Sequence, residues 1–479
     1  MLFNSIAFML FFPLIFTVYW TIPHRYRWFL LLLSSYYFYM SWNPKYIVLI
    51  LFTTAVSYTS ALFLDWEAHE GRRRFILFLT LAVCLGVLFF YKYFNFFSLS
   101  FSSLASFFLP VHPVLLQLVL PVGISFYTFQ TLSYVIDVYQ GRIKAERHFG
   151  IYAAFIAFFP QLVAGPIERT QNLLPQIKNP HSFNRQKGIY GAKIMLWGYF
   201  KKMVIADLLA DFVDGAFADV YGYSGFAWIL VMFFFSLQIY CDFSGYSDIA
   251  IGTAKLLDID LMTNFKSPYF SSSVKEFWSR WHISLSTWFR DYVYIPLGGN
   301  RCSKARQRFN LLATFLVSGL WHGASWTFVI WGGIHGIAQI LENLFSRPLS
   351  WLRRRTWGKV LCGLSVCLFC GFAWIFFRAP AFSDVLYILA HSFDGFGHPL
   401  SYLMQGFTAL GLYPLKILYL FGLIMILAVY DFLHKDRDIL LEVPKKKKGL
   451  VWSLYLMLGL LVVFFSQKGV AAAFVYFQF

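Results

Sequence analysis

Long apolar runs interrupted by short polar stretches cover almost the whole chain, at roughly 2–22, 28–41, 46–64, 75–91, 116–139, 149–165, 188–212, 225–256, 309–340, 358–377, 414–432 and 449–466. Most come near the roughly 20 residues that cross a hydrocarbon core about 30 Å thick, which predicts about eleven to thirteen membrane segments. Backbone groups in lipid must be satisfied within the protein, so the pattern predicts an all-α polytopic protein. Pro160, Pro166, Pro268 and Pro296 and many polar groups fall between 160 and 310, where re-entrant pieces covered by protein or lining a water-filled cavity are expected. The polar insertion of note, 378–413, joins two apolar runs on the outer side. With no internal repeat and no soluble domain legible, residues 1–479 read as a single domain.

Composition agrees with this reading and excludes a water-soluble domain. Apolar residues make up 59% of the chain and charged residues 13%, against roughly 25% in an average soluble protein, and the mean hydropathy is +0.60. The abundance of Phe, Tyr and Trp suits lipid-facing surfaces and interfacial belts. The net charge of +17 is no sign of nucleic-acid binding, because the cations sit between apolar runs: Arg25/Arg27, Arg72 to Arg74, Arg142/Lys144/Arg147, Arg353 to Arg355 and Lys445 to Lys448. By the positive-inside rule these loops are cytoplasmic, and alternation then puts both termini outside, with the first run retained rather than cleaved. Cys367 and Cys370 form the only C-x-x-C among the six cysteines, and without a second pair or a histidine pair they read as small buried residues, with no metal site implied.

Polar residues inside membrane segments are costly and draw attention to three places. In Gln238 to Asp248, Asp242 and Asp248 stand six residues apart and point to different sides of a helix, which argues against a shared acid/base pair and for lining a polar cavity together with Tyr246. From Val274 to Tyr292 the residues Val274, Phe277, Trp278, Trp281, Leu285, Trp288 and Tyr292 form one apolar stripe, predicting a single amphipathic helix. His282 falls at the edge of that stripe and Arg290 opposite it. In Ser318 to Trp326, His322 lies mid-run with no acid nearby. Burial favours its neutral form, able to accept a proton from a hydroxyl, while Gly319 and Gly323 beside it leave room for a substrate or another helix. His335 reads as structural.

These stretches resemble the membrane-bound O-acyltransferase family, in particular its bacterial branch acting on cell-surface polymers. The resemblance rests on Val163-Ala-Gly-Pro-Ile-Glu-Arg169, Asp242-Phe-Ser-Gly-Tyr-Ser-Asp248, Glu276-Phe-Trp-Ser-Arg-Trp-His282, Arg290-Asp-Tyr-Val-Tyr-Ile-Pro-Leu-Gly-Gly-Asn-Arg301 and Gly319-Leu-Trp-His322-Gly. It implies a ring of membrane helices around a funnel-like core, a cytoplasmic acyl thioester such as acetyl-CoA as donor, no bound cofactor, and His322 as catalytic histidine with His282 as a second catalytic site. Asp242, Tyr246, Asp248, Trp281, Arg290 and Trp321 are expected to face substrate. The resemblance also implies location in the bacterial cytoplasmic membrane and an extracytoplasmic partner, an SGNH-type acetyltransferase or an acyl-acceptor protein. That partner would complete transfer to a polysaccharide such as alginate, another exopolysaccharide or peptidoglycan. Tyr476, in the tail 470–479, is then a possible acyl relay. A proton-coupled transporter or flippase using the buried His and Asp residues, and a non-catalytic scaffold, are the competing readings.

Overall fold

The computed structural model describes residues 1–442 and 448–465, and among these the chain is α-helical with no strand. Among the described residues, five helices are long and apolar enough to cross a membrane: Pro44–Trp66, Glu70–Ala105, Phe226–Leu256, Thr356–Arg378 and Pro414–His434. Shorter apolar helices occupy Ile6–Thr21, Phe382–His391 and Val451–Phe464. The all-α polytopic expectation therefore holds.

The remaining apolar runs fold as shorter or broken pieces. The run at 149–165 divides into Phe149–Ala157 and Phe159–Leu162, with Pro160 in the first turn of the second piece. That at 188–212 carries a π-helical turn, Phe200–Ala206, between Arg185–Tyr199 and Asp207–Ala218. The run at 309–340 is two helices, Lys304–His322 and Trp326–Leu344. Gly323 leaves the first in an extended conformation, and the Ser325 side chain caps the second by accepting from Thr327 N–H.

Contacts divide the chain into two compact units, 1–195 with 249–262, and 196–248 with 263–479. Within the first, a polar cluster ties loops together. Lys187 Nζ donates to Asp258 Oδ1 at 2.7 Å and to Asp260 Oδ2 at 3.1 Å, and His181 Nδ1 lies 3.0 Å from the other Asp258 oxygen. Burial pushes the Asp258 carboxyl up, but the hydrogen bonds and charges of Lys187 and His181 outweigh it and hold the group below the usual carboxylate range. Its contribution is therefore present above an unfolded pKa of about 3.9 and is lost as pH falls through the lower folded value. Lys187 is 39% exposed, and solvent screening keeps the effect to about 1 kcal/mol. Asp258→Asn should accordingly lower the melting temperature of detergent-solubilised protein slightly at neutral pH, and the gap from wild type should narrow as pH falls below about 4. A gap that does not narrow as the pH is lowered would assign the effect to hydrogen bonding rather than charge.

Candidate active site

The second unit holds both histidines. Its core is aromatic: Trp228, Trp281, Trp331 and Trp374 are fully buried there. His322 is the last residue of the helix Lys304–His322 and is 4% exposed. Its ring centroid lies 5.0 Å from that of Trp321, 5.0 Å from Trp331 at a perpendicular 90°, and 5.5 Å from Phe377. The helix can end here because the next one packs directly on its backbone. A Cβ on Gly319 would stand 2.3 Å from the Phe328 carbonyl oxygen, and one on Gly323 would meet the Phe328 ring at 2.2 Å. The room beside His322 is thus taken by a neighbouring helix rather than left for substrate.

His282 lies 6.4 Å from His322, centroid to centroid, although the two are forty residues apart in sequence. Here the single amphipathic helix expected over 274–292 is corrected. The chain forms Val274–Arg280 and Ile283–Phe289 with a π-helical turn, Arg290–Tyr294, after them, and His282 between the first two adopts the left-handed conformation at φ 43°. Far from marking the edge of a stripe, His282 is completely buried. A non-glycine residue in this region costs on the order of 1–3 kcal/mol and persists only where its surroundings over-determine it.

Asn264 supplies that constraint. Its backbone oxygen accepts from Ile283 N–H at 2.9 Å, and its side-chain oxygen accepts from Ser284 Oγ at 2.9 Å and, more loosely, from Ser284 N–H at 3.4 Å. The same oxygen lies 3.0 Å from His282 Nδ1, while Asn264 Nδ2 donates to Ser247 Oγ at 3.2 Å. An amide oxygen can only accept, so Nδ1 carries the proton in the neutral ring and Nε2 carries the lone pair. Asn264 is a positioning residue that sequence reading missed, since nothing in its own neighbourhood marks it. Asn264→Ala should lower kcat per folded molecule about 10- to 100-fold, whereas a merely structural role would reduce the amount of folded protein and leave the kcat of the survivors unchanged.

The other expected site residues are distributed unevenly. Trp321 joins the pair, 6.2 Å from His282 and 5.0 Å from His322. Trp281 is buried one residue before His282 and stacks on Phe277 at 5.4 Å. Asp242 and Asp248 are held apart, as their spacing requires. Lys202 Nζ contacts Asp242 Oδ1 at 2.6 Å and Asp207 Oδ1 at 2.9 Å, and Lys201 Nζ contacts Asp248 Oδ2 at 2.7 Å and Ser244 Oγ at 2.9 Å. Two buried lysines in the π-helical turn thus face two carboxylates of Phe226–Leu256. Their signal in the sequence is a charged pair inside the run 188–212. Tyr246 is buried on that same helix. Phe243, between the two aspartates, brings the helix to His282, with ring centroids 4.6 Å apart.

Arg290 is exposed and paired with Asp291 at 2.8 Å. It lines a cavity of about 920 Å³ together with Lys275, Lys304 and Arg308 and, one helical turn before His322, Ser318. Gly298 and Gly299, at φ 113° and 52°, allow the turn in which the Asn300 side chain accepts from Tyr294 and Gln307 at 2.6 and 2.8 Å on the cavity wall. His335 is structural: its Nδ1 accepts from Trp278 Nε1 at 3.2 Å. Cys370 is buried in the aromatic core, and Cys367 contacts the Tyr269 carbonyl at 3.1 Å. Tyr476 lies outside the described residues.

Apolar helices long enough to cross a membrane, with two buried histidines meeting near a cavity edged with cations, make this a helical membrane protein. Residues 148–379 match the membrane-bound O-acyltransferase family. The chain is 38% identical over 459 residues to the probable alginate O-acetylase of Azotobacter vinelandii, covering 93% of this chain and 88% of that protein. It is 40% identical over 390 residues to the probable alginate O-acetylase of Pseudomonas aeruginosa, with 79% and 72% covered. To the peptidoglycan O-acetyltransferase of Helicobacter pylori it is 37% identical over 385 residues, with 75% and 72% covered. The chain belongs to the membrane-bound O-acyltransferase family: it is a multi-pass membrane O-acyltransferase, which sets aside the transporter and scaffold readings.

Proposed function

We propose that this enzyme takes an acetyl group from a cytoplasmic thioester, acetyl-CoA, and passes it across the bacterial cytoplasmic membrane for O-acetylation of an extracytoplasmic polysaccharide. The observation that carries this reading is the meeting of His282 and His322 at 6.4 Å in a buried aromatic setting, near a cavity with four cations and, among the described residues, no acidic side chain on its wall. A cavity of this size fits an extended cofactor-like donor, and Lys275, Arg290, Lys304 and Arg308 match the phosphates that such a thioester carries. The thioester is already activated, so the protein's task is to orient a hydroxyl and remove its proton as the oxygen attacks the acyl carbon. His322 is the base. His282, with Nδ1 donating to Asn264, offers Nε2 as a second acceptor that orients the hydroxyl or the donor. The C–S bond breaks as the C–O bond forms, and the hydroxyl proton passes through His322 to the leaving thiolate.

Acetyl as the group, and alginate or peptidoglycan as the class of acceptor, are supported by the names of the relatives. On this reading the charge rule makes both termini extracytoplasmic, and Tyr476, which lies outside the described residues, would hold the acetyl group briefly and hand it to an SGNH-type partner. The test is a reconstituted membrane loaded with radiolabelled acetyl-CoA on the cytoplasmic side. With the SGNH-type partner added outside, label should move to a polysaccharide acceptor with wild type and not with His322→Ala. Tyr476→Phe that acetylates polymer normally would sink the relay.

A further inference from the structure

The space around His322 bears on which acyl group the enzyme can use, a question that rests on the reading of His322 as base. Two rings form the wall directly. Trp331 stands perpendicular to the imidazole at 5.0 Å and Phe377 stands at 5.5 Å. They are backed by further rings in mutual contact. Trp374 stacks on Trp331 at 5.6 Å, meets Phe377 at 5.2 Å and touches Trp281 at 5.1 Å, while Phe328 closes against Phe377 at 4.8 Å. Trp281, Trp331 and Trp374 are 0% exposed and Phe377 is 1% exposed. The wall is assembled from Trp326–Leu344 and Thr356–Arg378, and the Gly319 and Gly332 contacts press the first of these onto the His322 helix. A Cβ on Gly332 would stand 2.2 Å from the Phe315 carbonyl oxygen. Trp326–Leu344 cannot draw back from the His322 helix without losing this backbone contact.

We infer that Trp331 and Phe377, held by Trp374, are the residues that set the acyl length, admitting a two-carbon group and refusing longer chains. The acyl carbon must come within about 3–3.5 Å of the hydroxyl oxygen whose proton His322 takes, so the alkyl part of the acyl group lies in the shell around the imidazole. A methyl group is the smallest alkyl part that an acyl donor can place in that shell. Each further methylene meets an indole or benzyl ring that is packed on its far side and has no place to go, because interiors packed at this density transmit rather than absorb added volume.

The full chain purified in detergent would be given acetyl-, propionyl-, butyryl- and octanoyl-CoA, with thiol release measured for each and, once the SGNH-type partner is added, acyl transfer to a soluble polysaccharide. Wild type should lose about 10- to 200-fold in kcat/KM for each of the first added methylenes. Phe377→Ala and the milder Phe377→Leu and Trp331→Leu should raise the butyryl-to-acetyl ratio at least 10-fold, through kcat/KM for butyryl. The wild-type series needs no variant, so the inference stands or falls even if Phe377→Ala fails to fold. Wild type that uses butyryl- as readily as acetyl-CoA would overturn it, as would folded Leu variants that keep the wild-type ratio. If His322→Ala turned over acetyl-CoA like wild type, the reading of His322 as base would fail and take this inference with it. If that variant is dead while the ratio is unmoved, only the aromatic wall is wrong.

Discussion

His322→Ala is expected to lower acyl transfer by about 10²- to 10⁴-fold, roughly 3–5 kcal/mol of barrier, while the protein remains folded and still binds donor. The expectation combines three observations. The ring ends its helix rather than sitting within it, so its removal breaks no intrahelical turn. It is enclosed by Trp321, Trp331 and Phe377, which leaves a small apolar void on truncation. The cationic cavity lined by Arg290, Lys304 and Arg308 is untouched. Loss should therefore appear in kcat with little change in KM for the thioester, the signature of a group acting in the transition state. Single-turnover transfer of radiolabelled acetyl, alongside donor binding by equilibrium dialysis, separates the two. Equal kcat in variant and wild type would remove His322 from the chemistry. A raised KM at unchanged kcat would make it a donor-binding residue instead.

How much of this site could be read along the chain depends on the range of the contacts involved. His322 and His282 were legible because a titratable ring in an apolar run is costly and conspicuous. Asp242 and Asp248 were legible as separate groups, because six residues on a helix turn them apart. What holds these residues was not legible. The stripe from Val274 to Tyr292 contains neither glycine nor proline, so periodicity continues through Trp281 and His282. The break there comes from Asn264, which bonds Ile283, Ser284 and His282 from outside the stripe. Spacing likewise gave Gly319 and Gly323 the ability to admit something close, and only the packed Phe328 decided that the visitor is a helix. In each case the sequence carries the cost of an arrangement, an ionisable group or a missing side chain, while the partner that justifies it lies elsewhere.

Lys202→Met should destabilise the protein strongly, by about 3–5 kcal/mol, because it removes the shared cation from a buried network. Lys202 contacts both Asp207 and Asp242, all three nearly sealed from solvent, with side chains 5%, 7% and 2% exposed. Replacing the ammonium by a methyl thioether of similar length keeps the volume and takes away the charge, so the two carboxylates are left to be neutralised or hydrated inside the protein. Desolvation makes the intact network a weak source of stability in itself, and this predicts its rescue. Adding Asp207→Asn and Asp242→Asn to Lys202→Met should recover most of the lost melting temperature in detergent, since the buried charges then go together. Activity should recover less. Asp242 adjoins Phe243, whose ring stands 4.6 Å from His282, so the ion pairs fix where this helix face meets the histidine, a task that amides of different charge and reach perform differently. Thermal unfolding and acetyl transfer measured on the single and triple variants distinguish these roles. Full recovery of both would make the network structural alone. Recovery of stability with transfer still depressed would show that the buried charges align the site. A single variant as stable and as active as wild type would show that the triad does neither.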